Sequence, residues 1–96
     1  MKTIEINGNK YKLENNVRDG FELKILEEKL TDYYNDFDYV VGDWAYGKLR
    51  LKGFYDSHNK KCKEFNDIKY LDDYINNNCA YGCKWFCISK ITIEKK

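Results

Sequence analysis

Between Trp44 and Lys60 the chain reads WAYGKLRLKGFYDSHNK, a stretch that gathers cations and aromatic rings at regular spacing. Lys48, Arg50 and Lys52 alternate with Leu49 and Leu51. In a β-strand successive side chains point to opposite faces, so the three cations and Phe54 share one face while the leucines point into the core. Cations at intervals of ~7 Å can follow a phosphate backbone. Trp44, Tyr46, Phe54 and Tyr55 offer rings on which unpaired bases stack. The roles this chemistry suggests are phosphate contacts by Lys48, Lys52 and Lys60, bidentate recognition by Arg50, and stacking by Tyr46 or Phe54. Lys61 and Lys63 extend the basic run. The same side chains suit an acidic protein surface, because basic and aromatic residues make interface hot spots. They also suit a solvated strand whose cations keep a sheet edge from pairing with its neighbours.

The cysteines carry a second possibility. His58-x3-Cys62 and Cys79-x3-Cys83 are two pairs of soft ligands, loosely compatible with structural zinc, although Cys-x2-Cys knuckles are far more diagnostic. Cys79 and Cys83 could instead form a reversible thiol pair. The Asn76–Asn78 run and Gly82 argue against one helix carrying both, and no Cys-x-x-Cys stands at a helix start to lower a thiol pKa. Cys79, Cys83 and Cys87 also read as small buried apolar fillers. These readings imply no cofactor.

Catalytic constellations are absent from the sequence. His58, in the polar run DSHNKK, has no Cys or Ser placed to complete a nucleophilic triad. There is no P-loop, G-x-G-x-x-G or H-E-x-x-H. A carboxylate beside Trp44 could be an acid or base, but Asp43 reads better as a turn acceptor or an arginine partner, and Asp19 as a helix cap. The expectation is a binding module rather than an enzyme, with no small-molecule substrate.

The elements that must position these residues are short. Thr3–Ile6 and Lys10–Leu13 flank Asn7-Gly8-Asn9 and form a hairpin. Phe21, Leu23, Leu26, Leu30, Tyr33, Tyr34 and Phe37 recur at helical spacing, so residues 20–35 read as a helix, with Asp19 and Glu22 as a capping box. Asp38–Trp44 and Lys48–Phe54 form a second hairpin across Ala45-Tyr46-Gly47, followed by a polar loop over 55–65. Ile68, Leu71, Tyr74 and Ile75 share a helical face within Asp67–Asn77, and Lys84–Ile93 is a last strand. The order ββαββαβ predicts a single α+β domain over residues 1–96, with two helices packed on a mostly antiparallel sheet.

Composition narrows the setting. A chain of 96 residues, 43% hydrophobic and with a net charge of +1, can hold one core, and its overall charge selects no partner. The N-terminus MKTIEINGNKYKLEN has no apolar secretory stretch, and nothing approaches the ~18 apolar residues of a membrane helix. A cytoplasmic protein without membrane association is expected. Fifteen lysines, ten asparagines and nine tyrosines with no proline point to an AT-rich coding sequence. Against that bias the two arginines, Arg18 and Arg50, suggest positions that need a planar, bidentate donor.

RDGF at 18–21, DYVVGDWAYGKLRLKGFYD at 38–56 and CAYGC at 79–83 resemble the YutD-like family of small proteins from low-GC Gram-positive bacteria. The resemblance runs from about Ile4 to Ile91, in the same order. It implies a cytosolic, single-domain α+β protein and supplies no catalytic residues. His58, Cys62 and Cys87 stand outside the family pattern, which weighs against a zinc site built on them.

Overall fold

Two tight turns set the register of the sheet. Gly8, at φ +83°, closes the first hairpin, in which β1 (Thr3–Ile6) pairs with β2 (Asn9–Val17) so that Ile6 faces Asn9. Tyr46 and Gly47, at φ +55° and +74°, close the second, joining β3 (Tyr39–Ala45) to β4 (Lys48–Phe54) with Ala45 opposite Lys48. Two successive left-handed residues give the turn whose twist matches a hairpin. The computed structural model describes residues 3–6, 8–78 and 83–91. The two hairpins do not pair with each other in the sheet. β5 (Trp85–Lys90) runs between them, antiparallel to both β2 and β3, and the sheet order is β1-β2-β5-β3-β4.

Both faces of the sheet are covered. On the first, Ile4, Ile6, Tyr11, Val40, Leu49, Phe86 and Ile88 bury against Leu26 and Leu30 of the α1 segment. On the second, Val41, Phe54 and Cys87 pack under Ile68, Leu71, Tyr74 and Ile75. The consecutive buried pair Val40-Val41 follows from this arrangement, since a strand covered on both sides loses its apolar-polar alternation. The α+β class and the order ββαββαβ agree with the sequence reading, as does the helical face of residues 68–75.

The first helix is shorter than its apolar periodicity predicts. α1 spans Leu23–Lys29, and a separate 3-10 turn covers Asp32–Asp36. Leu30 leaves the helical region at ψ 93° and is itself buried. Breaking there lets the chain carry Tyr34 against the first core and Phe37 onto Gly53 of β4. Asp19 does not cap the helix: Glu22 occupies the cap position without a side-chain bond. Arg18 and Asp19 instead sit at φ +56° and +59° in a tight turn closed by Gly20 N–H to the Val17 carbonyl, 3.1 Å. The second helix forms as a 3-10 turn, Ile68–Tyr70, running into α2 (Leu71–Asn78). Asp67 caps that turn by accepting from the Lys69 amide at 3.0 Å. Among the described residues no helix is long and apolar enough to cross a membrane.

Gly42 shows how tightly the first core is filled. A Cβ there would lie 2.4 Å from the ring of Phe86, which has no exposed surface and no room to retreat. Gly42→Ala is expected to cost about 1–3 kcal/mol through overpacking. That should appear in a thermal melt as a fall of about 4–8 °C per kcal/mol for a domain of this size.

Candidate functional site

Among the described residues the cation-bearing strand lies at the edge of the sheet, since β4 has β3 on one side and no strand on the other. Its face assignment splits as alternation requires. Leu49 and Leu51 turn toward the α1 side with Trp44 and Gly42, while Lys48, Arg50, Lys52 and Phe54 turn toward α2. That second face is not free, which corrects the expectation of an open basic-aromatic platform.

Phe54 is 1% exposed, wedged under α2 with its ring 5.5 Å from Tyr74, so it cannot stack on a ligand. Arg50 lies directly opposite Asp43 on β3 and donates to its carboxylate at 2.5 Å. Asp43 is almost wholly buried, and the bond raises the Arg50 pKa further, so the guanidinium serves the interior while half its surface meets solvent. Lys52 Nζ sits 5.1 Å from the ring centre of Phe54, 5.8 Å from Phe65 and 5.9 Å from Tyr74, so three ring faces attract the ammonium.

The remaining rings and cations do not converge. Trp44 is half-buried on the opposite face, where its Nε1 donates to the Gly20 carbonyl at 2.7 Å and Lys84 lies over the ring at 4.9 Å. Tyr46, at the hairpin tip, is fully exposed, and Lys48 beyond Gly47 is exposed as well. Lys60 is exposed but belongs to the loop beyond the far end of β4, about 20 Å away by strand rise. That loop is tied down by acids. Lys61 bridges Asp36 at 2.6 Å, Tyr55 Oη donates to the same carboxylate at 3.0 Å, and Asn59 donates to Asp38. Lys61 and Tyr55 together hold the Asp36 pKa below the usual carboxylate value.

Residues to which the sequence reading gave no binding role frame the same edge. Tyr33 and Phe65 are 70% and 69% exposed, unusual for rings outside a contact surface. With Tyr34, Phe37 and Lys52 they line a hollow of about 210 Å³ beside Leu51 and Gly53. The sequence reading puts Tyr33 on the apolar face of a helix over 20–35, and the end of α1 at Lys29 is what turns its ring outward, while Phe65 stands in the polar stretch KEFND.

The metal reading finds no support. Among the described residues no group of three or more His, Cys, Asp or Glu side chains could hold an ion. His58 is almost fully exposed, 3.4 Å from Asp56. Cys79 lies outside the described residues, and Cys83 is disulfide-bonded. Cys62 and Cys87 are free thiols. Cys87 is a buried filler, its pKa pushed up to about 12 by burial and then by Glu14. Burial, followed by the Asp67 hydrogen bond, raises the Cys62 thiol too. Because only the thiolate reacts, iodoacetamide at mildly alkaline pH should label the half-buried Cys62 slowly in the native protein and the enclosed Cys87 only after unfolding. Peptide mass mapping reads this directly, and native labelling of Cys87 would show that the second core opens. Arg50→Ala should strand the Asp43 carboxylate and cost about 1–3 kcal/mol, measured by urea unfolding. Arg50→Lys should recover part of that loss.

Comparison with known proteins agrees with this architecture. The family model described as "Putative antitoxin YutD-like" matches residues 5–89. A protein of Bacillus subtilis (strain 168), "Putative antitoxin YutD", is 41% identical over 88 residues, which is 92% of this chain and 97% of that one. The solution NMR structure of protein yutD from B. subtilis superposes with a TM-score of 0.81 at 38% identity, covering 100% of this chain and 87% of that one. The motifs RDGF, DYVVGDWAYGKLRLKGFYD and CAYGC lie within the matched span, and the chain belongs to the YutD-like family.

Proposed function

We propose that this protein is a non-enzymatic cytoplasmic binding module whose partner is another protein. The observation that carries the reading is the open edge of β4 set between the exposed rings of Tyr33 and Phe65. A sheet edge with unpaired backbone groups is a template for another chain, and exposed aromatics beside it supply hot-spot area. The B. subtilis relative bears the name "Putative antitoxin YutD", which suits a module with a contact surface and, among the described residues, no assembled catalytic group.

The nucleic-acid reading draws less from the geometry. Of the seven side chains that suggested it, Phe54 is buried, Arg50 serves Asp43, and Lys52 is surrounded by the protein's own rings. Trp44 faces the other side, leaving Tyr46 and Lys48 at the tip and Lys60 at the opposite end.

The test is purification of the tagged chain from its own cells with and without nuclease. A protein should be retained in fixed ratio after nuclease and lost from a Tyr33→Glu/Phe65→Glu double variant that remains folded. Retention of RNA instead, with an affinity that falls steeply with salt and loses slope in Lys48→Ala, would overturn the protein reading in favour of nucleic acid.

A further inference from the structure

The backbone of β4 presents a defined set of unpaired groups. Tyr55, immediately after the strand, donates its N–H to the Asn66 carbonyl at 2.7 Å and accepts from the Ile68 N–H at 3.0 Å, so its peptide groups point away from β3. Backbone groups alternate sides along a strand. The N–H and C=O of Leu49, Leu51 and Gly53 therefore point outward as those of Tyr55 do. Among the described residues they meet no partner, although side chains cover Leu49 and Gly53 and only Leu51 is partly exposed. The segment 66–68 completes the edge at Tyr55 and stops there, leaving a gap of three residues' worth of outward bonds.

Both sides of this gap are shaped. On the α1 side a hollow of about 380 Å³ is lined by Glu28, Lys29, Tyr34, Leu49 and Leu51, so an acid already stands on this face and the guest's carboxylates belong on the other. The hollow between Tyr33 and Phe65 opens beside Leu51 and Gly53. On the α2 side stand Lys48 and Lys52, and among the described residues neither pairs with a carboxylate.

We propose that an extended segment of the partner protein adds to β4 as a further strand, with acidic and apolar side chains alternating along it. The proposal rests on the protein-binding reading above and names its mode. Cross-strand neighbours share a face, so side chains beside Lys48 and Lys52 fall on the basic face and prefer carboxylates. Those between them fall on the Leu49–Leu51 face, against the apolar wall formed with Tyr34. The charges also decide between occupants. A second copy of this chain, paired antiparallel about Leu51, would set Arg50 beside Lys52 in both directions, and like charges directly opposite are destabilising. At the other end of the sheet β1 is also an edge, but with four residues and an exposed Glu5 it offers a shorter ladder of opposite charge.

Amide exchange by NMR on the full chain tests this, with the capped peptide acetyl-Glu-Val-Glu-Val-Glu-Val-amide as probe. In the free protein the unpartnered amides of Leu49, Leu51 and Gly53 should exchange faster than those of Arg50 and Lys52, which face β3, with Leu51, the least buried of the three, fastest. Saturating peptide should slow the three outward amides by about tenfold or more, less at high salt. The Lys-Val counterpart should leave them unchanged. Leu51→Pro removes an outward donor, a change edge strands tolerate, and should abolish protection while the other amide shifts stay native. Should that variant unfold, the wild-type comparison of the two peptides decides alone. Failure of the Glu-Val peptide to protect these amides, or equal protection by the Lys-Val peptide, overturns the proposal. So does protection that rises with protein concentration alone, which would make a second copy the occupant. A protein retained after nuclease alongside any of these results would leave the binding-module reading standing and discard only the edge as its site.

Discussion

The fold depends on burying β5 from both sides at once. Phe86 and Ile88 are fully buried on the α1 face, Cys87 is buried on the α2 face, and the strand is paired along both edges. Neither hairpin is hydrogen-bonded into the other's half of the sheet without it. A chain whose last strand joins two earlier hairpins must close long loops before those contacts repay the entropy. It follows that β5 is the element on which cooperativity rests. It also explains the choice of a small thiol at position 87. The space between Val41 and the rings of α2 is filled by neighbours on both sides, and burial holds the thiol protonated.

Once β5 fixes β3 in the interior, β4 is left outside, and its side chains divide between two covered faces. Alternation alone correctly placed Leu49 and Leu51, because a strand's period of two is imposed by its backbone. The same rule could not say what lay over the other face. That depended on the apolar stripe of Ile68, Leu71, Tyr74 and Ile75, which is legible as a stripe but not as a destination. The run Tyr39-Val40-Val41 held the missing information: adjacent buried apolar residues imply a strand covered on both faces. Phe54, opposite Tyr39 in register, had to be buried for the same reason.

The scarcity of arginine carried meaning in a different direction from the one it suggested. Arg50 does meet a need for a directed, permanently charged donor, but the acceptor is internal, the buried Asp43 across the hairpin. A residue type read from composition reveals a chemical demand without revealing whose group makes it. The helix over 20–35 failed on similar grounds. Its periodicity was real, yet Leu30 breaks the helix so that Phe37 can cover Gly53, a contact 16 residues away in sequence and invisible to local pattern. Tertiary packing outweighs a propensity of a few tenths of a kcal/mol per residue.

What remains at the edge combines protection with recognition. An unpaired strand is a liability that cations blunt by repelling copies of themselves. Lys48 and Lys52 serve that end, and Lys52 is held in place by three rings rather than left to swing in solvent. A charge fixed in position discriminates as well as repels, because it favours any strand that brings the opposite sign to the same face. The open stretch is bounded by the hairpin tip at Tyr46 and by the 66–68 segment bonded to Tyr55, so a guest must fit a short register between two fixed stops. Edge, charge and bounding contacts thus act as one device: the features that keep this chain from pairing with itself also specify what it would accept.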